Sequence, residues 1–404
     1  MLRVVKVRLY PTDEQQNILA QTFGSVRFVY NYMLDKSINT YQATKKSLSA
    51  FTLNKELPIM KKGEFPWLKN VDSTSLQQTI LNMEKAYKGF FNGGGFPKFK
   101  AKHDSYQSYQ TTTAKMKGDK LFLTKVGLVT IKGMRDFEGK LKTVTVSLVA
   151  GQYHASLLFD DGKEFVKPQH NGKVVGLDIG VKILATLSNG DMHQPLELDK
   201  ELEDIKKAQR SLSRKKKGSK NRAKAKRRLQ RKHLKVVNKR KDFNHKLSND
   251  ITNENQVIVI EDLKIKNMTK SAKGTIEEPK QSSGKTGLNR VITQQSWGEF
   301  FSMLKYKAIL KGGEVIKVDP KYTSQECSCC GHISKSNRKS QSSFKCVKCG
   351  HTMNADLNAS INIRNRGIEK WNKAIRDRLN GLNNKLKNIL KSKQKTVGHT
   401  GLAY

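Results

Sequence analysis

The sequence predicts an α/β protein of two or three domains, and three observations carry that prediction. Short alternating strands flank a helical block within the first 165 residues. From about residue 173, strands of Val and Ile alternate with long helical patterns, and a tight run of cysteines precedes the last helix. At 404 residues and 36% hydrophobic content, the chain can bury more than one core.

The start, VKVRLYPT, alternates Val5, Val7 and Leu9 with Lys6, Arg8 and Tyr10, the period of a half-buried strand. Thr12 with Gln15 is a capping-box pattern that announces a helix. Val26, Val29, Tyr30 and Met33 recur at helical spacing over 24–43, as do Leu76, Ile80, Met83 and Tyr87 over 73–91. GGGFPKFK at 93–100 ends that helix, and KLFLTKVGLVTI, KTVTVSLVAG and QYHASLLF follow as strands. Residues 1–10 and 93–165 are therefore expected to form one β-rich module, with the helical block 11–92 inserted in it.

Residues 163–172 read as a linker. KVVGLDIGVKILATLSNG gives two strands, with Asp178 near the end of the first. A helical pattern runs from about 199 to 250, broken at Gly218, with Leu229, Val236, Phe243, Leu247 and Ile251 on its packed side. QVIVIEDL at 256–263 is a buried strand ending in Glu261 and Asp262. Residues 264–290, rich in Lys, Ser and Gly, read as a flexible loop able to serve as a lid. A helix over 292–311, the strand GGEVIKVDP, the cysteine module and a helix from Asn354 complete the order. Beyond about 366 the polar, Asn- and Lys-rich tail is expected to be disordered.

Charge narrows the partner. Seventy-seven Lys and Arg against 35 Asp and Glu leave a net +42, which repels itself unless an anion binds. Residues 206–241 alone hold 19 basic residues and no acid, yet keep an apolar stripe. A solvated charged face is the ordinary explanation of such a run, but phosphates account better for so many uncompensated like charges. No apolar run approaches a membrane span, and MLRVVKVRLYPT has neither the apolar core nor the cleavage site of a signal peptide. Nucleic acid is the expected partner.

All five cysteines, Cys327, Cys329, Cys330, Cys346 and Cys349, fall in one short window, which does not suit a disulfide framework and points to a reducing cytosol. CSCCGH at 327–332 and CVKCGH at 346–351 are matched C-x2-C-G-H turns, whose glycines let paired thiolates converge. Cys327, Cys330, Cys346 and Cys349 are the expected ligands of one structural zinc. Cys329, His332 and His351 are expected to stand by. Four thiolates leave no open position, so that zinc would hold a fold and do no chemistry.

Three acids remain. Each has a plain explanation: Asp178 and Glu261 at strand ends, and Asp356 in a first helical turn capped by Asn354. Taken together they say more, because charges among runs of Val and Ile are costly unless paired or metal-bound. A ribonuclease-H-like core carries acids on its first strand, at the end of its fourth, and on a late helix, which is the order found here. Converging carboxylates of this kind would hold two Mg2+ ions.

GLDIGVK, IVIEDL and NADLNASINI, with the cysteine pairs just before the last, resemble the TnpB family of transposon-encoded RNA-guided DNA endonucleases, relatives of type V CRISPR effectors. RLYPT, GSVRFVYNYML, NGGGFPKFK, LSRKKKGSKNR and QSWGEFFSMLKYKA agree, and the match spans about 1–366. The resemblance implies a RuvC-like nuclease domain (171–322 and 353–366) carrying Asp178, Glu261 and Asp356, with the zinc-binding module 323–352 inserted. It further implies an N-terminal β-barrel, or wedge, with an inserted helical recognition domain. A guide RNA from the transposon end, a duplex DNA target beside a short motif, and a cytoplasmic, nucleoid-associated setting in a prokaryote follow from the same resemblance. It selects Glu261 over its neighbour Asp262 as the metal ligand.

In such systems base pairing reads sequence while protein reads backbone and flanking motif. Arg210, Arg214, Lys215, Arg222, Arg227, Arg228 and Arg231 are the backbone candidates, and Gln77 a candidate base contact, since Gln can address adenine. A nuclease-inactive, RNA-guided DNA-binding regulator ranks second, because all three acids are present. A strand-joining transposase lacks its His and Tyr nucleophile arrangement here. An actin-like ATPase lacks its further phosphate loops and rarely carries such charge.

Overall fold

The computed structural model describes residues 2–102, 106–134, 138–164, 172–270 and 283–397. Most of the expected linker, the middle of the expected lid loop and the last seven residues lie outside them. The chain divides into two compact units, Met1–Phe165 with Ala208–Arg231, and Val166–Lys207 with Lys232–Tyr404.

The first unit opens with strand β1 (Leu2–Tyr10), then helices α1 (Asp13–Thr44), α2 (Ala50–Lys62) and α3 (Ser73–Phe91). The capping box forms as the sequence predicts: the Thr12 hydroxyl accepts from the Gln15 backbone N–H, and the Gln15 amide answers the Thr12 N–H. Six strands follow: β2 (Tyr106–Thr111), β3 (Lys115–Lys117), β4 (Lys120–Leu123), β5 (Gly127–Lys132), β6 (Lys140–Val149) and β7 (Gln152–Asp160). They join β1 in an antiparallel sheet ordered β2-β6-β7-β1-β5-β4-β3. The N-terminal strand thus lies inside the sheet, between β7 and β5. One core runs from Val7 and Leu9 through Val29, Met33, Leu76 and Ile80 to Val129 and Leu157, so strands and helical block share their burial.

The second unit is built on β8 (Val174–Ile179), β9 (Ala185–Leu187), β10 (Met192–His193), β11 (Val257–Glu261) and β12 (Glu314–Val318). Helix α4 (Asp199–Ser213) and α5 (Lys220–Glu254) follow β10 in sequence, separated at Gly218, whose φ of +83° suits glycine. A short α6 (Ile265–Met268), α7 (Ser283–Gln295) and α8 (Trp297–Leu310) follow β11. The sheet order is β10-β9-β8-β11-β12, with β8, β11 and β12 parallel and β9 antiparallel to β8. Burial on both faces explains the unbroken VIVI of β11. Ile258 and Ile260 pack with Leu247, Ile251, Phe300 and Leu304, whereas Val257 and Val259 pack with Ile363.

Strands β13 (Ser343–Lys345) and β14 (Thr352–Asn354) form the hairpin of the cysteine module, and α9 (Ala355–Val397) closes the chain. Two expectations change here. The tail beyond 366, expected to be disordered, continues α9 to Val397: it contains no proline, and Ile375, Leu379 and Leu382 keep helical spacing despite the polar composition. The loop expected at 264–290 already carries α6 and the start of α7 among its described residues.

Candidate active site and metal centre

Asp178 is the fifth residue of β8, and Glu261 ends the neighbouring parallel strand β11, one position past the Ile260–Leu177 pair. Asp356 lies in the first turn of α9, where the Asn354 Oδ1 accepts from the Asp356 and Leu357 backbone N–H groups at 2.9 and 3.1 Å. Three elements therefore bring the three predicted acids to one end of the sheet. Burial, and then the charges of Glu261 and Asp356, push the Asp178 carboxyl up to about 8. Burial raises Glu261 too, opposed by a hydrogen bond from Thr323 and the charge of Arg366.

Asp262 behaves differently. Its carboxylate is held by Lys264 at 2.5 Å and Lys317 at 2.9 Å, which lower it to about 2. Alternation along the strand turns it away from its neighbour, and its charge is already balanced.

The segment leading into and through the cysteines reaches back to this centre. The Thr323 hydroxyl donates to Glu261 Oε1 at 2.6 Å, and Arg338 Nη2 donates to Asp356 Oδ1 at 3.2 Å. Helix α9 fastens that segment with a ladder at four-residue steps. Asn358 Nδ2 donates to the Glu326 carbonyl at 2.7 Å, Asn362 Nδ2 to the Thr323 carbonyl at 2.9 Å, and Arg366 Nη1 to the Lys321 carbonyl at 2.7 Å. Asn358 and Asn362 are buried. Thr323 and Arg338 escaped the sequence reading; the signal at hand was the amide ladder, polar residues repeating on a helix face with no reason to face water.

The Sγ atoms of Cys327, Cys330, Cys346 and Cys349 lie within 4.8 Å of one another. Cys327 faces Cys349, and Cys330 faces Cys346, at 3.7 Å each, a non-bonded separation. Gly331 and Gly350 take φ of +72° and +75°, the left-handed turns expected after each pair. Four convergent soft thiolates suit a tetrahedral zinc. Cys329 is exposed and outside the group, and both histidines, half-buried, also lie outside it. Among the described residues this is the one set of three or more such ligands that draws so tightly together; the three carboxylates are spread more widely.

Of the nucleic-acid candidates, Arg210 on α4, Arg214 and Lys215 in the turn after it, and Arg227, Arg228 and Arg231 on α5 are exposed, and Gln77 is exposed on α3. Arg222 is spent differently: its Nη1 donates to the Leu212 and Lys215 carbonyls at 3.0 and 2.9 Å, bracing the turn between α4 and α5.

An acid group at one end of the two inner strands and a four-thiolate cluster are the features that comparison with known proteins places in a family. Residues 157–272 match the family model OrfB_IS605, "Probable transposase", and residues 297–363 match "Cas12f1-like, TNB domain". A third, "Helix-turn-helix domain", matches residues 1–46, which here form β1 and the single helix α1. The "Putative RNA-guided DNA endonuclease InsQ" of Escherichia coli K12 is 38% identical over 369 residues, spanning 90% of this chain and 91% of that protein. A "Putative RNA-guided DNA endonuclease" of Streptomyces pristinaespiralis is 34% identical over 376 residues, spanning 91% and 89%. The "CRISPR-associated endodeoxyribonuclease Cas12f1" of Sulfoacidibacillus thermotolerans is 28% identical over 260 residues, spanning 57% and 58%. The chain belongs to the TnpB family.

Proposed function

We propose that the protein is an RNA-guided endonuclease that cleaves double-stranded DNA beside a short flanking motif, with Asp178, Glu261 and Asp356 as its catalytic carboxylates. The observation that carries this reading is the gathering of three acids from β8, β11 and α9, two of them raised by burial in a protein with a large basic excess. Near-full-length similarity to InsQ supports it. The strand order, hairpin then two parallel strands, supports a ribonuclease-H-like, RuvC-type domain. The seven-stranded sheet would serve as the wedge, and α1–α3 as the recognition helices.

The acids fit a divalent cation site. Burial and neighbouring charge destabilise the ionised Asp178 and burial that of Glu261, against which stand only the Ile179 backbone N–H, Thr323, Arg338 and Arg366, and hard oxygen donors suit Mg2+. Two Mg2+ ions at such a site supply an activated water and neutralise charge at the phosphate. The chain's own part is positional. Thr323 fixes one Glu261 oxygen, Arg338 holds Asp356, and the parallel pairing of β8 and β11 sets the spacing of Asp178 and Glu261. The thiolate cluster fits a zinc that shapes the segment delivering Thr323 and Arg338.

The exposed arginines of α4 and α5 would follow RNA or heteroduplex phosphates, and Gln77 would address the flanking motif. The nuclease-inactive regulator is not favoured, since all three acids are in place.

The test is to purify the protein from cells expressing its native locus, sequence the RNA that accompanies it, and supply matched duplex DNA with Mg2+. Cleavage that EDTA stops is the expected result. Tight guided binding without cleavage would hand the function to the regulator.

A further inference from the structure

Strand alternation sends Val7 and Leu9 of β1 into the core of the first unit and turns Arg8 to the opposite face of the sheet. Arg8 lies directly across from Lys132 on β5 and from His154 on β7, so three basic residues form one row over three strands. Like charges set directly opposite one another destabilise a sheet. The ring of Tyr10 supports the charged pair, with the Arg8 guanidinium 5.6 Å and the Lys132 ammonium 5.5 Å from its centroid. Arg8 is half-buried, and its enclosed Nε has no hydrogen-bond partner among the described residues, a further cost to the folded state.

The row carries no counter-charge of its own. Burial makes the Arg8 guanidinium less basic than usual, and so, against the pull of Tyr10, does Arg231, brought in by α5 within the same unit. Burial, then Lys6 and Arg8, hold the His154 imidazole down at about 4, so it stays neutral and adds no further charge. Strands β1 and β5 contain no acid, and the one on β7, Asp160, ends that strand and pairs with Lys142 at 3.5 Å. A solvated basic face spreads its charges in water, whereas this row opposes two of them and draws one half out of it. We infer that the row is the seat of one backbone phosphodiester of bound nucleic acid, held by Arg8 and Lys132 with Arg231 adding its charge. With Nε enclosed, the guanidinium would meet two unesterified oxygens end-on through its Nη groups, and the lysine would add a point charge. The inference rests on the RNA-guided reading above, which offers two sources of that phosphate, the RNA and the target DNA.

The test compares wild type with Arg8→Met, which keeps an apolar stem and loses the charge, and with Arg8→Lys. The probes are the RNA that co-purifies with the full chain and, for protein loaded with that RNA, matched duplex DNA. In at least one titration Arg8→Met should weaken binding about tenfold and lower the slope of log affinity against log salt by about one. Arg8→Lys should keep the wild-type slope. The titration that changes identifies the source of the phosphate. Free of nucleic acid, Arg8→Met should melt about 1–4 °C above wild type, because the row loses its repulsion. Wild-type affinity and slope in both titrations, or a melting temperature at or below wild type, overturn this inference and leave the RNA-guided reading standing. Wild-type protein that carries no RNA overturns the guided reading and this inference with it.

Discussion

Arg338, carried by the cysteine-bearing segment, donates to Asp356 at 3.2 Å, and Asp356 opens the helix that follows that segment. The same guanidinium lowers Asp178, against the burial that raises it. Arg338→Ala should therefore move the rising limb of the cleavage pH profile to more alkaline values and cost about tenfold or more at neutral pH. Arg338→Lys should restore part of both, keeping charge but losing the fork. A pH–rate profile of Arg338→Ala superimposable on wild type would show that the contact is incidental.

The three acids should be separable from their neighbour by activity. Asp178→Ala, Glu261→Ala and Asp356→Ala are each expected to lower cleavage by at least about a thousandfold with guide and target binding nearly intact. Binding rests on phosphate contacts and base pairing, far more numerous than three carboxylates. Asp262→Ala should keep most activity, because Lys264 and Lys317 hold that side chain. Cleavage and binding assays run on the same preparations decide it; full cleavage by Asp356→Ala would return that residue to an ordinary helix start.

Asp178 also sets a pH dependence for the cation-free protein. Its carboxyl titrates near 3.8 when unfolded and near 8 when folded. Between those values the folded state keeps a proton that the unfolded state has lost, so stability falls as pH rises across that window. The slope from this one group is at most about 1.4 kcal/mol per pH unit. Thermal melts in EDTA should show the decline, and Asp178→Asn should flatten it and raise stability near pH 8. Parallel curves for the two proteins would mean the carboxyl is ionised in the fold.

The acids and the cysteines were legible because each breaks its surroundings: a charge inside Val and Ile, or thiols at a repeated spacing. The partners of those acids were not. Thr323 meets Glu261 across 62 residues of sequence, and Arg338 sits in KSNRKSQSS, a stretch that reads as plain solvated surface. Composition hid the far end of α9, where lysines and asparagines mask Ile375, Leu379 and Leu382 at helical spacing. It hid Arg222 in the opposite sense, since among so many basic residues nothing marks the one whose guanidinium braces a turn.

Cys346→Ser should act on the fold first and on cleavage through it. Losing one of four thiolates is expected to lose the zinc and several kcal/mol of local stability, on the order of a removed structural ligand. Because Thr323 and Arg338 ride on the same segment, cleavage should fall even at temperatures where the rest of the protein stays folded. Metal analysis and hydrogen exchange of residues 323–352 measure the two effects. Pure wild-type protein without bound zinc would refute the assignment.

The last prediction concerns how α9 is seated. A Cβ built on Gly367 would lie 2.3 Å from Val259 Cγ2 and 2.5 Å from Cγ1. Val259 is fully buried in β11, two residues before Glu261, so neither side has room to give. Gly367→Ala should therefore lift α9 from the sheet and cost about 1–3 kcal/mol, as overpacking does. Asp356 lies on the same helix about three turns earlier, and small misplacements of catalytic groups cost large factors, so cleavage should fall further than stability alone explains. Gly381→Ala is the matched control: nothing lies within 4 Å of its added Cβ, and the change should stabilise the helix by about 0.5–1 kcal/mol with cleavage unchanged. Adding Val259→Ala to Gly367→Ala returns the space and should recover part of the lost cleavage, a coupling that two independent lesions would not show. Melting curves and single-turnover cleavage of the four proteins decide the matter. If Gly367→Ala cleaves as wild type does, the close seating of α9 on β11 is not what aims Asp356.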